Sequence, residues 1–121
     1  MRNDSEYWQA MIELIESTPV VLDRPRGTTP PRYADLVYPL DYGYLKKTSA
    51  GDGDGIDVWI GSSEVKTLTG ILCTFDKLKR DAEIKLLIGC TKEDIETIQG
   101  FNNDMPTLFI PSPMVENDLS D

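Results

Sequence analysis

Apolar residues recur at helical spacing over residues 3–17, which predicts an amphipathic helix. Its apolar stripe consists of Trp8, Met11, Ile12 and Ile15. Asp4 or Ser5 can cap the start of this helix, and Pro19 predicts its end. After the helix, the apolar positions fall into short runs separated by turn-forming residues, as in β-strands. The strand candidates are residues 20–22, 56–60, 67–75 and 83–90.

A second, short helix is predicted over residues 91–99, with Thr91 as its N-cap and Asp94 three residues later. Short strands, turn signals and few helices favour a small β-barrel with helices at its edges. A chain of 121 residues can bury one hydrophobic core but not two. We therefore expect a single domain, 1–121. Its parts are an N-terminal helix at 1–19, a barrel core at 20–100 and an extended C-terminal segment at 101–121, which ends in a loose acidic tail.

The composition is that of an ordinary globular protein, with 40% hydrophobic and 27% charged residues. No apolar run approaches the roughly 20 residues that span a membrane, and the N-terminus lacks the apolar core of a signal peptide. Cys73 and Cys90 both fall in apolar, strand-like runs, which favours buried free thiols over a disulfide. These features predict a cytoplasmic protein that does not interact with membranes.

The charge balance restricts the possible partners and the possible chemistry. The net charge is −9, whereas a nucleic-acid surface needs a basic patch, so we expect no nucleic-acid partner. The chain contains no histidine. Any acid–base chemistry must therefore use carboxylates, lysine, tyrosine or water activated by a metal ion.

One short loop, Asp52-Gly53-Asp54-Gly55-Ile56-Asp57, carries three carboxylates. Like charges this close repel by roughly 4 kcal/mol per pair at about 4 Å in a partly buried setting, so a cation among them is favoured. Oxygen ligands without histidine or thiolate indicate Mg²⁺, Mn²⁺ or Ca²⁺. An EF-hand is excluded, because its sixth position would be Asp57 and its twelfth Ser63. A solvated acidic turn without function remains an alternative.

Two further segments carry charged candidates. The irregular loop at 23–32 contains three prolines and three arginines. In the strand candidate at 83–90, Glu83 and Lys85 share one face. An inward-facing charged pair would indicate a site inside the barrel, and the alternative is an ordinary surface ion pair.

Several motifs, in order along the chain, resemble soluble family I inorganic pyrophosphatase. The family signature D-x-D-[PE]-hydrophobic-D-hydrophobic is similar to residues 52–58, and its preceding YP-x-x-YG-aromatic segment is similar to residues 38–44. The segments 20–25, 70–76 and 81–86 resemble the family's remaining acid-bearing strands. The resemblance covers about residues 20–100, and with the strand pattern it predicts a mainly β, α+β fold: an OB-like five-stranded barrel with an N-terminal helix and a short peripheral helix.

The resemblance implies metal-dependent hydrolysis of inorganic pyrophosphate to two phosphates, with Mg²⁺ as cofactor and Mn²⁺ as an alternative. Five acidic residues would bind metal: Asp23, Asp52, Asp57, Asp76 and Glu83. Of these, Asp52, Asp57 and Glu83 would hold the metals that activate the attacking water. Asp76 would hold a metal that enters with substrate, and Asp23 would bind a further metal through water.

The resemblance also implies a catalytic group and a phosphate-binding group. Asp54 would be the base that orients or deprotonates the water, Lys85 would balance the carboxylates, and Tyr42 would donate a hydrogen bond near the phosphate or the base. The substrate-binding candidates are Arg32, Arg26, Arg24 and Tyr38.

The chain departs from the family pattern at several positions. Gly55 stands where the family has Pro or Glu, and Glu83 stands where it has Asp. Two additional residues between Asp76 and Glu83 make Asp81 an alternative metal ligand. No counterpart of the family's long C-terminal helix follows Gln99. A shortened phosphate clamp keeps two alternatives open: a related hydrolase of nucleotides or other diphosphates, and a non-catalytic metal-binding module. We expect a homo-oligomer of undetermined size.

Overall fold

The computed structural model describes residues 4–30, 36–51, 53–102 and 104–113 of the chain. These residues form two helices and six strands. In chain order they are α1 (Asp4–Ser17), β1 (Val20–Arg24), β2 (Asp41–Leu45), β3 (Asp57–Ile60), β4 (Leu68–Asp76), β5 (Asp81–Ile88), α2 (Lys92–Phe101) and β6 (Thr107–Pro111). The predicted helices and strand candidates are therefore all present, with β2 and β6 in addition.

The strands form one sheet in the order β1-β2-β3-β5-β4-β6. In the described part of the chain only β3 and β5 pair in parallel, over residues 58–60 and 86–88, and the other neighbouring pairs are antiparallel. Among the described residues β1 and β6 are the two edges of the sheet. The predicted OB-like five-stranded barrel is not found in the described residues, where the sheet has six strands and is not closed. The sixth strand comes from the C-terminal segment, where Thr107–Pro111 pairs with β4.

A helix packs on each face of the sheet. The apolar stripe of α1 contacts one face, where Leu45, Val58 and Leu86 are buried. Helix α2 contributes Ile95 and Ile98 to a second cluster on the opposite face, around Trp59, Leu72 and Leu87. Both faces of the sheet are therefore buried at β3, along most of β4 and in the second half of β5, which explains the apolar runs in these segments.

The predicted N-terminus of α2 is confirmed. The Thr91 hydroxyl accepts a hydrogen bond from the backbone N–H of Asp94 at 3.1 Å, and the Asp94 carboxylate accepts one from the backbone N–H of Thr91 at 2.9 Å. This reciprocal capping box satisfies two N–H groups that would otherwise lack partners. The Asp94 carboxylate also accepts hydrogen bonds from the backbone N–H and the hydroxyl of Ser62, which attaches α2 to the loop after β3.

Both cysteines are free, as predicted; Cys90 is buried and Cys73 is half-buried. Burial raises the pKa of the Cys90 thiol to about 12, and the charge of Asp94 adds to the effect. The Cys90 thiol therefore stays protonated and behaves as a small apolar core residue. None of the helices in the described ranges has the length and apolarity to cross a bilayer.

Strand register determines which side chains share the α2 face. Tyr42 pairs with Trp59 and Tyr44 pairs with Asp57, and Trp59 in turn pairs with Leu87 of β5. Because side chains alternate along a strand, Lys85 and Glu83 lie on the same face as Leu87. On this face, the apolar core under α2, with Trp59 and Leu87, is next to the polar and charged side chains of Asp57, Lys85 and Glu83. The candidate site begins at that boundary.

Candidate functional site

Lys85 lies at the centre of a cluster drawn from three adjacent strands. Its ammonium Nζ is 2.8 Å from the Tyr42 hydroxyl and 3.2 Å from Asp57 Oδ2. The Glu83 carboxylate lies 3.7 Å from the same nitrogen. The Lys85 side chain is only 11% exposed, whereas those of Asp57 and Glu83 are 29% and 28% exposed. A buried lysine requires such partners, so the two carboxylates compensate for its desolvation.

Tyr42 is held in this cluster by aromatic packing. Its ring meets Trp59 edge-on at 4.8 Å between centroids and Tyr38 at 5.6 Å, and Lys85 Nζ lies 5.2 Å from the ring centre. Burial raises the pKa of the Tyr42 hydroxyl far above its usual value, and the charge of Asp57 and a hydrogen bond to Asp57 raise it further. The hydroxyl therefore stays protonated: it accepts a hydrogen bond from Lys85 and donates one to Asp57.

A cleft of about 530 Å³ opens beside this cluster. Its walls combine three carboxylates, one guanidinium and three phenols. They belong to Asp23, Asp54, Asp57, Arg24, Tyr38, Tyr42 and Tyr44. Arg24 and Asp23 are adjacent on β1, with Arg24 Nη1 3.6 Å from Asp23 Oδ1. The cleft thus brings together groups that are up to 34 positions apart in the sequence, from Asp23 to Asp57.

The acidic loop reaches the cleft through a tight turn. The backbone N–H of Ala50 donates to the Asp54 carbonyl at 2.6 Å, and that of Gly53 donates to the Ala50 carbonyl at 3.0 Å. Gly53 has a φ of 88°, a conformation that favours glycine. A Cβ at Gly55 would lie 2.7 Å from the Tyr44 ring, so a side chain there would displace this ring. Glycine at position 55, where the family pattern has Pro or Glu, therefore leaves the space that the Tyr44 ring occupies.

The cleft has the donor chemistry of a divalent-cation site, although no three acidic side chains of the described residues lie close enough together to hold one ion between them. Mg²⁺ is commonly held by one or two carboxylates, with water and substrate phosphate oxygens completing its shell. Asp54 and Asp57 border the cleft together and supply such oxygens. The residues present therefore fit a cation that is shared with a phosphate-bearing ligand.

The remaining sequence candidates lie in different places. Asp76 and Asp81 face each other across the end of the β4–β5 hairpin, and Asp76 Oδ1 accepts hydrogen bonds from the backbone N–H groups of Leu78 and Lys79 at 3.0 Å each. Asp81 lies two residues before Glu83, about 7 Å along the strand. Neither Asp76 nor Asp81 borders the cleft. Asp52 and Arg32 lie outside the described residues.

Arg26 belongs to a different surface. Its backbone N–H donates to Asp41 Oδ1 at 2.8 Å, and its side chain borders a shallow depression near Ser62 and Asp94. Tyr44, by contrast, borders the cleft although sequence reasoning gave it no role. The alternation Tyr42-Gly43-Tyr44 was the available signal, since it places both phenols on one face of a strand.

No protein-family model matches the chain, and a search of curated proteins gives no match. Solved structures do match. An inorganic pyrophosphatase from Coxiella burnetii superposes with a TM-score of 0.53 at 14% identity, covering 83% of this chain and 89% of that one. An inorganic phosphatase from Anaplasma phagocytophilum gives a TM-score of 0.51 at 14% identity, covering 83% of this chain and 87% of that one. The chain therefore has a family I pyrophosphatase-like fold, as its motifs predicted.

Proposed function

We propose that this protein hydrolyses inorganic pyrophosphate to two phosphates, in a reaction that depends on Mg²⁺ or, alternatively, Mn²⁺. The observation that carries the proposal is the cluster of Lys85, Tyr42 and Asp57 beside a cleft that Asp54 and Arg24 also border. The likeness of the fold to an inorganic pyrophosphatase supports the same reaction class. The substrate is a small, highly charged molecule, for which a polar cleft of about 530 Å³ is suitable.

The divalent cation would be held by Asp57 and Glu83 together with Asp52. When bound, it would offset the negative charge of the substrate and lower the pKa of a coordinated water. Asp76, Asp23 and the alternative ligand Asp81 are proposed for further cations. Lys85 would keep Asp57 and Glu83 close to each other in the absence of the cation, since its ammonium contacts both carboxylates.

Asp54 is proposed as the base that orients the attacking water. The water oxygen forms a bond to one phosphorus, the bridging P–O bond breaks, and the bridging oxygen leaves on the second phosphate. The two protons of the water end on the two products, one on each. Asp54 shares the cleft with Tyr42, whose protonated hydroxyl would have to exchange its hydrogen bond to Asp57 for one to phosphate in order to contact the substrate.

Positive charge in the lining of the cleft would bind the phosphates. Arg24 borders the cleft and is the best-supported clamp, because a guanidinium can bind a phosphate through two hydrogen bonds. Tyr38 borders the same cleft. Arg32 is proposed as a further clamp, while Arg26 has less support because it borders a different depression.

The test is phosphate release from pyrophosphate with Mg²⁺, with Mn²⁺ and without metal. We expect release only with metal. Asp54→Asn should lower turnover by about 10³-fold or more while metal affinity, measured by calorimetry, stays near that of the wild type. Metal binding without turnover in the wild type would indicate a non-catalytic metal-binding module instead. The absence of release under every metal would refute the proposal.

Two further expectations stay predictions. A homo-oligomer is supported by the edge strand β6, where Leu108 and Ile110 are 60% and 38% exposed. Sedimentation of the purified protein would test it, with a monomer as the contrary result. The cytoplasmic location rests on the sequence alone.

A further inference from the structure

A second cavity, of about 340 Å³, adjoins the polar cleft. Its walls are mostly apolar and include Ser49, Ala50, Ile56, Ala82 and Ile84, together with Asp57. Asp57 borders both cavities, so they meet at this carboxylate. A cavity of this size is within the range of about 300–1,000 Å³ that small-molecule sites occupy.

The cavity arises from the way β3 leaves the sheet. β3 pairs with β5 only over residues 58–60 and 86–88, so the chain before Asp57 diverges from β5. Residues 82–84 then have β4 as their strand neighbour on one side, and on the other side they border the cavity. The walls therefore offer main-chain hydrogen-bonding groups as well as apolar side chains.

We propose that this cavity binds the nucleoside of a nucleoside diphosphate whose phosphates occupy the polar cleft. The inference rests on the proposed function and extends its substrate class from pyrophosphate to nucleotides. Asp57 and Glu83 in this cavity have a role in the proposed function, but free pyrophosphate has no group that could use the apolar walls, so these walls are unexplained by pyrophosphate alone.

Charge determines what kind of group fits here. Asp57 and Glu83 both border the cavity, and these carboxylates repel a further phosphate or carboxylate. Both carboxylates contact Lys85 and are proposed to hold the cation, so the remaining walls of the cavity are left for the nucleoside. Ile56 and Ile84 provide apolar surface for a flat base, and Ile84 is 39% exposed, so it is accessible to a ligand.

Hydrogen bonding favours a nucleoside over a plain hydrocarbon chain. The Ser49 hydroxyl and the main chain at Ala82, which among the described strands pairs only with β4, can pair with the polar edge of a base, whereas a prenyl group would leave both without a ligand partner. In the reaction, water attacks the terminal phosphorus and the bridging P–O bond breaks. The bridging oxygen leaves on the nucleoside monophosphate, and the second product is inorganic phosphate, with one proton released to solvent at neutral pH.

The test compares kcat/KM for ADP and UDP with that for pyrophosphate and for dimethylallyl diphosphate, all with Mg²⁺. The variant Ala82→Leu fills the cavity, and Ala10→Leu makes the same change on the exposed surface of α1. Ala82→Leu should lower the ratio of kcat/KM for ADP to that for pyrophosphate by about tenfold, the effect of added methylenes in a closely fitting pocket. Ala10→Leu should leave this ratio unchanged.

A binding measurement separates this inference from the proposed function. Adenosine or uridine, added to the metal-free protein, should shift the NMR signals of the Ile84 methyl groups and of the amides at 82–84. Ala82→Leu should abolish those shifts. No hydrolysis of pyrophosphate would overturn the proposed function, whatever the nucleosides do. Hydrolysis of pyrophosphate without nucleoside shifts, or a preference for the prenyl diphosphate, would overturn the nucleoside site alone.

Discussion

Asp94, in α2, and Asp57, at the start of β3, are two carboxylates in contrasting surroundings. Asp94 is 8% exposed and accepts hydrogen bonds from Ser62 and Thr91, whose positions are fixed by the loop and the helix start. Asp57 is bonded to two titratable side chains, Lys85 and Tyr42, and borders two cavities. Neutral donors held by the backbone of a loop and of a helix start are typical of a structural carboxylate. A carboxylate that has charged or titratable partners and also borders a cavity can instead exchange those partners for a ligand.

Asp57→Asn should have the largest effect of the changes that test this comparison. The amide keeps the shape of the side chain but loses the charge that a divalent cation requires, so we expect turnover to fall by about 10³-fold or more. Metal affinity, measured by calorimetry, should fall together with it. Retained metal affinity would mean that Asp57 is as purely structural as Asp94.

Asp94→Asn should act on stability instead of on turnover. The backbone N–H groups of Ser62 and Thr91 both donate to Asp94 Oδ2, so the amide oxygen of asparagine can still accept them, but without the negative charge that strengthens these bonds. We expect the free energy of unfolding, measured by urea denaturation, to fall by about 1 kcal/mol. The kcat of the folded protein should match that of the wild type, and a kcat loss comparable to that of Asp57→Asn would contradict the contrast between the two residues.

Tyr42→Phe would separate the hydroxyl from the ring. The ring contacts with Trp59 and Tyr38 should persist, so the melting temperature should change little. Loss of the hydrogen bond to Asp57 should lower kcat by about tenfold, the effect of one hydrogen bond to a charged group. An unchanged kcat with a lowered melting temperature would show that Tyr42 is only a packing residue.

The smallest effect concerns pH. Burial alone would raise the pKa of Asp94, but the hydrogen bonds from Ser62 and Thr91 outweigh it and hold the pKa below its usual value. A lowered pKa in the folded state adds stability above the unfolded pKa of about 3.9, and this stability is lost as the pH falls below that value. The wild type should therefore lose more unfolding free energy than Asp94→Asn between pH 5 and pH 2. Equal losses would show that the hydrogen bonds do not favour the charged form.

The same contrast explains what could be predicted from the sequence. Thr91 and Asp94 are three positions apart, and their capping box follows from local spacing. Tyr42 and Lys85 are 43 positions apart, and only the family motifs brought them into one site. The strand order, and with it the predicted five-stranded barrel, could not be settled from the sequence, because no local pattern encodes that β3 pairs with β5 in parallel. The nucleoside cavity was missed for the same reason, since it forms where this pairing ends.

The parallel pairing of β3 with β5 also has a consequence for the order of folding. β4 and β5 form a hairpin of neighbouring residues, whereas β3 must close a loop of more than 20 residues to reach β5. Contacts that close long loops have a higher entropic cost and tend to form later than local ones. Asp57 therefore meets Lys85 only once this late pairing is complete. In a refolding experiment, the site would therefore form late, together with the pairing of β3 and β5. Substitutions of Val58 or Leu86, which pair across these strands, would change the unfolding rate more than the folding rate.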